Sequence, residues 1–261
     1  GNGFYKLSAW YLKTDQHYTD TGDIDPNVTR SQFNLNLYAE YGVSNKLDVI
    51  AYVPFFARAT QNNIFSQTNG SLIQEGEAVS SIGDIDLGFN YNFFRKNKWS
   101  ASAKLLLGLP TGEDNGGSDG SYQTGDGEFN QYLSGLLGYS TQINGLPFYA
   151  KTYLGINNRT QNFSDELRFG LESGINLFNN KVWIIGRIDV VESLQNGSLN
   201  AQNSAQGSIF ANNVEFTSIG YEAAYYITKK IGVSLSYATA TSGRIIFATP
   251  TIAGGIFLDI K

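Results

Sequence analysis

The sequence predicts an all-β chain: a transmembrane up-and-down antiparallel β-barrel of about twelve strands, built from residues 1–261 as one domain. Three observations predict it. Apolar and polar residues alternate through segment after segment, the two-residue period of a strand whose faces meet different surroundings. Connections of two kinds, tight and long, take turns strictly from one end of the chain to the other. No helix-period segment with caps stands out, and no apolar run approaches the ~20 residues a spanning helix needs.

The strands can be justified in order. The first passes through Lys6 and Trp10 into a long polar connection, Thr14–Arg30. The second puts Leu35, Leu37, Ala39 and Tyr41 on one face and Asn34, Asn36 and Glu40 on the other, then turns at Asn45-Lys46. The third alternates from Leu47 through Val49, Ala51 and Val53 to Phe55, with Asp48 and Tyr52 opposite, and enters the connection Gln61–Ser80. In the fourth, Ile85, Leu87, Phe89, Tyr91 and Phe93 oppose Asp84, Asp86, Gly88, Asn90 and Asn92. The basic turn Arg95–Lys98 leads to the fifth, where Trp99, Ala101, Ala103, Leu105 and Leu107 oppose Lys104. The connection Glu113–Glu128 follows, and the sixth strand ends at Asn144-Gly145, a strong hairpin signal because both central positions favour positive φ. The seventh shows Phe148, Ala150, Thr152, Leu154 and Ile156 against Lys151, and Asn157–Asp165 joins it to the eighth. There Leu167 to Leu177 oppose Arg168 and Glu172, and the turn is Asn179–Lys181. The ninth carries Arg187 and Asp189 and runs into Gln195–Asn213. The tenth shows Ile219, Tyr221, Ala223, Tyr225 and Ile227 against Ser218 and Glu222 before Lys229-Lys230. A short connection at Ser242-Gly243 separates the last two strands. Five tight turns and six longer loops make twelve strands, and an even number puts both termini on the tight-turn side, expected to be periplasmic.

Alternation alone fits a water-soluble barrel as well as a membrane one. Three details favour lipid. Aromatic residues (Tyr41, Phe93, Trp99, Tyr139, Phe148, Tyr225) cluster on the apolar face near the tight turns, as in an interfacial girdle. The segments reach spanning length, beyond the ~5–6 residues typical of globular strands. The polar face mixes glycine with charges of both signs, which suits a wet lumen. The expected location is therefore a bacterial outer membrane, with its lipids as the surrounding partner.

Composition excludes several functions. With no cysteine and one histidine, zinc and haem sites have no ligand set, and neither cofactor nor metal site is assigned. The net charge of -5 and the absence of a basic stripe exclude a nucleic-acid partner. The absence of methionine, together with the start GNGFYKLSAWYL, which lacks a signal-peptide layout, is read either as a processed chain that has lost a signal peptide or as a sequence that begins late. His17, in KTDQHYTDTGD, is the sole candidate base for a hydrolase. It falls in an expected solvated loop with no G-x-S-x-G setting anywhere, so no catalytic residue is assigned and no enzyme activity is expected. Glu113, Asp114, Asp119, Asp126 and Glu128 could offer oxygen ligands to calcium, but their spacing fits no EF-hand and Asp-Gly loops are ordinary turn chemistry.

The lumen set is the most informative. Lys6, Lys104, Lys151, Arg168 and Arg187 face Glu40, Asp48, Asp84, Asp86, Glu172, Asp189 and Glu222. Their near balance predicts cross-strand pairs bracing the interior, in contrast to a single-sign selectivity ring. Trp10, Tyr52, Phe56, Tyr132, Tyr149, Tyr153 and Trp183 add bulk that narrows the interior or lines a path for a small apolar solute. These charges with Trp10 and Tyr52 form the candidate pore lining.

The stretches IGDIDLGFNYNF, LLLGLPTGEDNGG and GYSTQINGLPFYAKTYLGINNRTQNFSDELRFGLESG carry a resemblance. They resemble the outer-membrane barrel family associated with meta-pathway phenol degradation, and more closely its uncharacterised branch in Bacteroidota. The resemblance covers Ser81–Val191 well and the flanks loosely, and its motifs are structural: G-D-x-x-L-G marks a strand, L-P-T-G-[DE] a strand end. It implies passive movement of small hydrophobic or aromatic compounds and carries over no catalytic residue. The chain departs from the terminal aromatic usual in outer-membrane barrels by ending GIFLDIK: either Phe257 or Ile260 takes that role or further residues follow. The alternative function is a structural or accessory subunit of a larger outer-membrane complex. In that reading the basic turns (Lys46, Arg95, Lys96, Lys98, Lys181, Lys229, Lys230) anchor other outer-membrane or periplasmic proteins.

Overall fold

The computed structural model describes residues 2–199 and 208–261. Of the expected connection Gln195–Asn213, residues 200–207 lie outside the described residues. The described chain is all β. Its strands are β1 (Gly3–Tyr18), β2 (Ile24–Gly42), β3 (Leu47–Gln61), β4 (Ile64–Phe65), β5 (Leu72–Gln74), β6 (Glu77–Ser81), β7 (Ile85–Lys96) and β8 (Trp99–Leu109). They continue as β9 (Asn130–Ile143), β10 (Leu146–Asn158), β11 (Glu166–Leu177), β12 (Val182–Ser193), β13 (Glu215–Tyr226), β14 (Ile231–Arg244), β15 (Ile246–Phe247) and β16 (Thr251–Ile260).

Twelve antiparallel staves close into a barrel. Each pairs with its sequence neighbours, β6 and β7 together form one stave, and β1 pairs with both β2 and β16. Closure leaves no stave with an unpaired edge, which is how a sheet satisfies its backbone in lipid. β4 and β5 make a small separate hairpin inside the β3–β6 connection, and β15 adds two residues against the far end of β1. Gly3 pairs with Ile260, so the two chain ends lie together at the tight-turn end.

The turns follow from local chemistry. Asn144 and Gly145 both take positive φ (52° and 81°), as a two-residue hairpin of matching twist requires. The β2–β3 and β13–β14 turns instead use a hydroxyl. Ser44 Oγ accepts the Lys46 and Leu47 N–H groups, and Thr228 Oγ1 does the same for Lys230 and Ile231.

The outer wall is apolar all the way round. Leu7, Leu37, Val49, Phe89, Trp99, Leu133, Leu154, Leu171, Ile188, Tyr221, Leu235 and Ile256, one from each stave, are exposed. A continuous apolar belt of this kind is untenable in water and ordinary in a bilayer. Near the tight turns it becomes aromatic, with Tyr41, Phe93, Trp99 and Tyr225 exposed. A small buried apolar cluster, Ala211, Val214 and Ile245, sits at the loop end with Phe216 and Ile246 packed on it.

Five expectations need correction. The connection Thr14–Arg30 is mostly strand: β1 and β2 stay paired as far as Tyr18 and Ile24, around a bulge between Thr14 and Gln16. His17 therefore lies on a strand, opposite Asp25 and Phe247, with 7% of its surface exposed. Polar residues on both faces read as loop there because the hairpin stands above the apolar belt, where neither face needs to be apolar. Ser242 and Gly243 lie within β14, which continues to Arg244, and Glu77–Ser80 belongs to β6. Finally, Phe56 does not enter the lumen. A bulge sets two residues of β3, Pro54 and Phe55, against one of β2, and Phe56 pairs with Leu35 of the outer face, its ring 6.2 Å from Phe33.

Candidate functional site

The interior is built from alternate residues of each stave, so its chemistry follows from register. Along β14 and the loop-end half of β16 those residues are small: Gly232, Ser234, Ser236, Ala238, Ala253 and Gly255. A side chain at Gly232 would collide with Phe257, whose ring fills the space above it. On the remaining staves large and charged side chains, among them Lys104, Tyr132, Lys151, Glu172 and Arg187, stand between smaller ones.

Five of the twelve lumen charges join one chain of ion pairs. Lys6 reaches from β1 past the small residues of β16 and β14 to Glu222 on β13, at 2.7 Å. Arg187 bridges Glu222 (2.8 Å) and Glu172 (2.7 Å), and Lys151 also meets Glu172 at 3.2 Å. The Tyr149 hydroxyl donates to Glu172 at 2.8 Å, and that of Tyr153 to Asp189 at 2.6 Å. Elsewhere in the lumen the Tyr38 hydroxyl donates to Glu40 (2.9 Å) and Asn90 Nδ2 to Asp48 (3.3 Å). Lys104 and Arg168 share one partner, the Tyr132 ring, at 5.8 and 5.6 Å. Arg168 and Lys104 are the opposite charges that act on Asp86.

The loop end is closed down by a second network. Asp84, in the break between β6 and β7, accepts N–H groups of Gly112 (2.9 Å) and Asp126 (2.8 Å) from the β8–β9 connection. Burial pushes its carboxyl up to about 6 against these two donors, and the Asp126 charge adds to the rise. Thr124 Oγ1 donates to the Ile82 carbonyl at 3.0 Å, pinning the same connection over the mouth. Behind it, Arg159 holds Glu128 (2.7 Å), Glu166 (3.0 Å) and Asp126 (3.1 Å). Burial works against the Arg159 charge, but Glu166, Glu128 and Asp126 outweigh it and hold its pKa above the ordinary arginine value. Of the other three acids weighed as calcium ligands, Asp114 sets its carboxylate against Gly127 while its carbonyl accepts from Gln123, Asp119 accepts the Ser121 N–H, and the Glu113 carbonyl accepts the Thr124 N–H at 2.8 Å. His17 Nδ1 has no hydrogen-bond partner among the described residues.

Three cavities lie in series along the barrel. One of ≈750 Å³ opens at the tight turns, floored by Trp183 and Tyr226. These two residues also line a middle cavity of ≈520 Å³, with Phe4, Tyr38, Tyr149, Phe257 and the ion-paired Lys6, Arg187 and Glu222. Tyr52 then separates the middle cavity from a loop-end cavity of ≈170 Å³, bounded by Trp10, Pro54, Asp84, Thr124, Ile209 and Phe210. The sequence reading missed Phe4, Tyr38 and Tyr226 as lining, although each shares a face with a residue it did place inward, and it read Phe257 only as a stand-in for the terminal aromatic. It also missed the Arg159 cluster, since an arginine within NNRTQNFSDE carries no signal of burial.

A closed twelve-stranded barrel with an apolar wall and an ion-paired interior has the fold of outer-membrane proteins, whose walls contact the bilayer. Among solved structures the chain is similar to an outer-membrane channel from Pseudomonas putida F1, with a TM-score of 0.62 and 13% identity over 100% of this chain and 96% of that one. It is also similar to the KdgM porin in complex with disordered oligogalacturonate (0.53, 6%, 98% and 99%) and to the beta domain of the Bordetella autotransporter BrkA (0.55, 13%, 99% and 99%). At these identities the likeness is one of fold. No protein-family model matches the sequence, and no curated protein matches it.

Proposed function

We propose that the protein is a passive outer-membrane channel for small neutral solutes of apolar or aromatic character, with its tight turns and both termini in the periplasm. One observation carries this reading: the three cavities share Trp183 and Tyr226 at one junction and Tyr52 at the other, a nearly continuous aromatic route through the barrel. Aromatic faces offer a solute dispersion contacts in place of water. Pairing Lys6, Lys151, Glu172, Arg187 and Glu222 weakens the local fields around the middle cavity that would bind water or ions instead. The candidate lining holds five cations and seven carboxylates, a small excess that favours cations among ions. The route performs no chemical step.

Single-channel conductance of the refolded protein in a planar bilayer tests the reading. Steady openings that a small neutral aromatic solute blocks are the expected result. A folded barrel that stays silent and excludes the solute in vesicle-swelling assays would refute it, and would favour the accessory-subunit role.

A further inference from the structure

The β2–β3 and β7–β8 turns lie side by side, tied by the Asn92 N–H donating to the Lys46 carbonyl at 2.7 Å. Together they present Lys46, Arg95, Lys96 and Lys98, and no carboxylate occurs anywhere between residues 87 and 112. The adjoining β9–β10 turn, Asn144-Gly145, is uncharged. The wall beside these cations is unusual. The register slips between Asn92 and Phe94, and the resulting bulge leaves Phe93 and Phe94 both exposed, where a regular strand would turn one of them inward. Trp99 closes the hairpin, 4.7 Å from the ring of Tyr139. Lys98 Nζ stands 6.0 Å over the same ring and donates to Thr141 Oγ1 at 2.8 Å.

We infer that this patch is a binding site for the phosphate-bearing headgroup of an anionic phospholipid, with the acyl chains along Phe93, Phe94 and Trp99. Aromatic rings settle at the level of lipid headgroups. Cations just beyond that level are drawn to an anionic surface. The bulge supplies twice the apolar contact of a regular strand end at the point where the cations begin. The site rests on the bilayer placement proposed above and is independent of solute passage.

The three tryptophans make a test direct. Trp10 and Trp183 line the lumen, and Trp99 alone is on the outer wall. In the variant W10F/W183F, Trp99 fluorescence is measured in phosphatidylcholine vesicles containing equal mole fractions of either brominated phosphatidylcholine or brominated phosphatidylglycerol. The expected result is stronger quenching by brominated phosphatidylglycerol, equivalent to a local enrichment of roughly five-fold, the effect of one engaged cation. The preference disappears in R95Q/K96Q/K98Q, while quenching by brominated phosphatidylcholine persists. Equal quenching by the two lipids would overturn the site. Absence of quenching by brominated phosphatidylcholine would overturn the bilayer placement instead. If the tryptophan variant does not fold, native mass spectrometry of the unsubstituted protein, extracted from equimolar phosphatidylethanolamine and phosphatidylglycerol, gives the same answer. Excess bound phosphatidylglycerol that the triple glutamine variant loses supports the site, and equal counts overturn it.

Discussion

Replacing Arg159 by methionine should loosen the loop end of the barrel more than any surface substitution. The side chain of Arg159 is 4% exposed and that of Glu128 is 0% exposed, so their 2.7 Å contact is a fully desolvated pair. Methionine keeps the length of the side chain and removes the charge. Glu166 would keep Arg168 and Asn157, and Asp126 would keep Asn130 at 3.4 Å. Glu128 would retain only Thr160, through its N–H at 2.7 Å and its hydroxyl at 3.4 Å. One buried carboxylate is thus left uncompensated. Breaking a buried pair costs about 3–5 kcal/mol, and the partial compensation of the other two acids puts R159M near ~3 kcal/mol. Burial already pushes the Glu128 pKa up, with Arg159 pulling against it, so the variant's Glu128 should take up a proton and the loss should shrink as pH falls. The assay is equilibrium unfolding of the refolded barrel in denaturant at pH 8 and pH 5, read by gel mobility of the folded form. R159M/E128Q should recover at least half of the loss. An R159M barrel within about 1 kcal/mol of the parent at pH 8, unimproved by E128Q, would refute the reasoning.

Three further outcomes are expected. The folded Asp84 pKa of about 6 stands above the ~3.9 of an unfolded aspartate, so its contribution to stability is full below pH 4 and is lost as pH rises through 6. Discounted for its partial exposure, that slope is worth about 1 kcal/mol, and D84N should flatten the pH 4–6 segment of the unfolding curve. Tyr52→Ala, at the junction of the loop-end and middle cavities, should raise single-channel conductance without changing wall packing; unchanged conductance would place the route elsewhere. R187M frees Glu172 and Glu222 from their shared guanidinium, leaving them to Lys151 and Lys6, and should shift the reversal potential in a salt gradient toward cations.

The wall was legible because its period is local. Leu35, Leu37 and Ala39 alternate with Asn34, Asn36 and Glu40 whatever the strands around them do, and each tight turn is written in its own few residues. The readings that failed depend on register between strands. Phe56 is turned outward by a bulge that exists only in the pairing of β3 with β2. Its one sequence sign is Pro54, which lacks a ladder donor and in a strand marks an edge or a bulge. His17 was misplaced because period loses meaning once a hairpin rises out of lipid and both its faces meet polar surroundings. The Arg159 cluster draws its members from three separate segments, at Asp126–Glu128, Arg159 and Glu166, which only the closed fold brings together.

The bond between Lys6 and Glu222 has a meaning beyond its contribution to the lumen. Counted along the chain, β1 is the first stave and β13 the tenth, so in an unrolled sheet the two groups would stand nine strand spacings apart, roughly 43 Å. In the cylinder they are three staves apart and within 2.7 Å of each other. The contact is thus a signature of rolling up, distinct from pairing, which every hairpin achieves alone. Because the chain has no cysteine, thiols placed at positions 6 and 222 would be the only ones present. A short bifunctional thiol reagent could then date the moment of closure during assembly, separately from the growth of the strands.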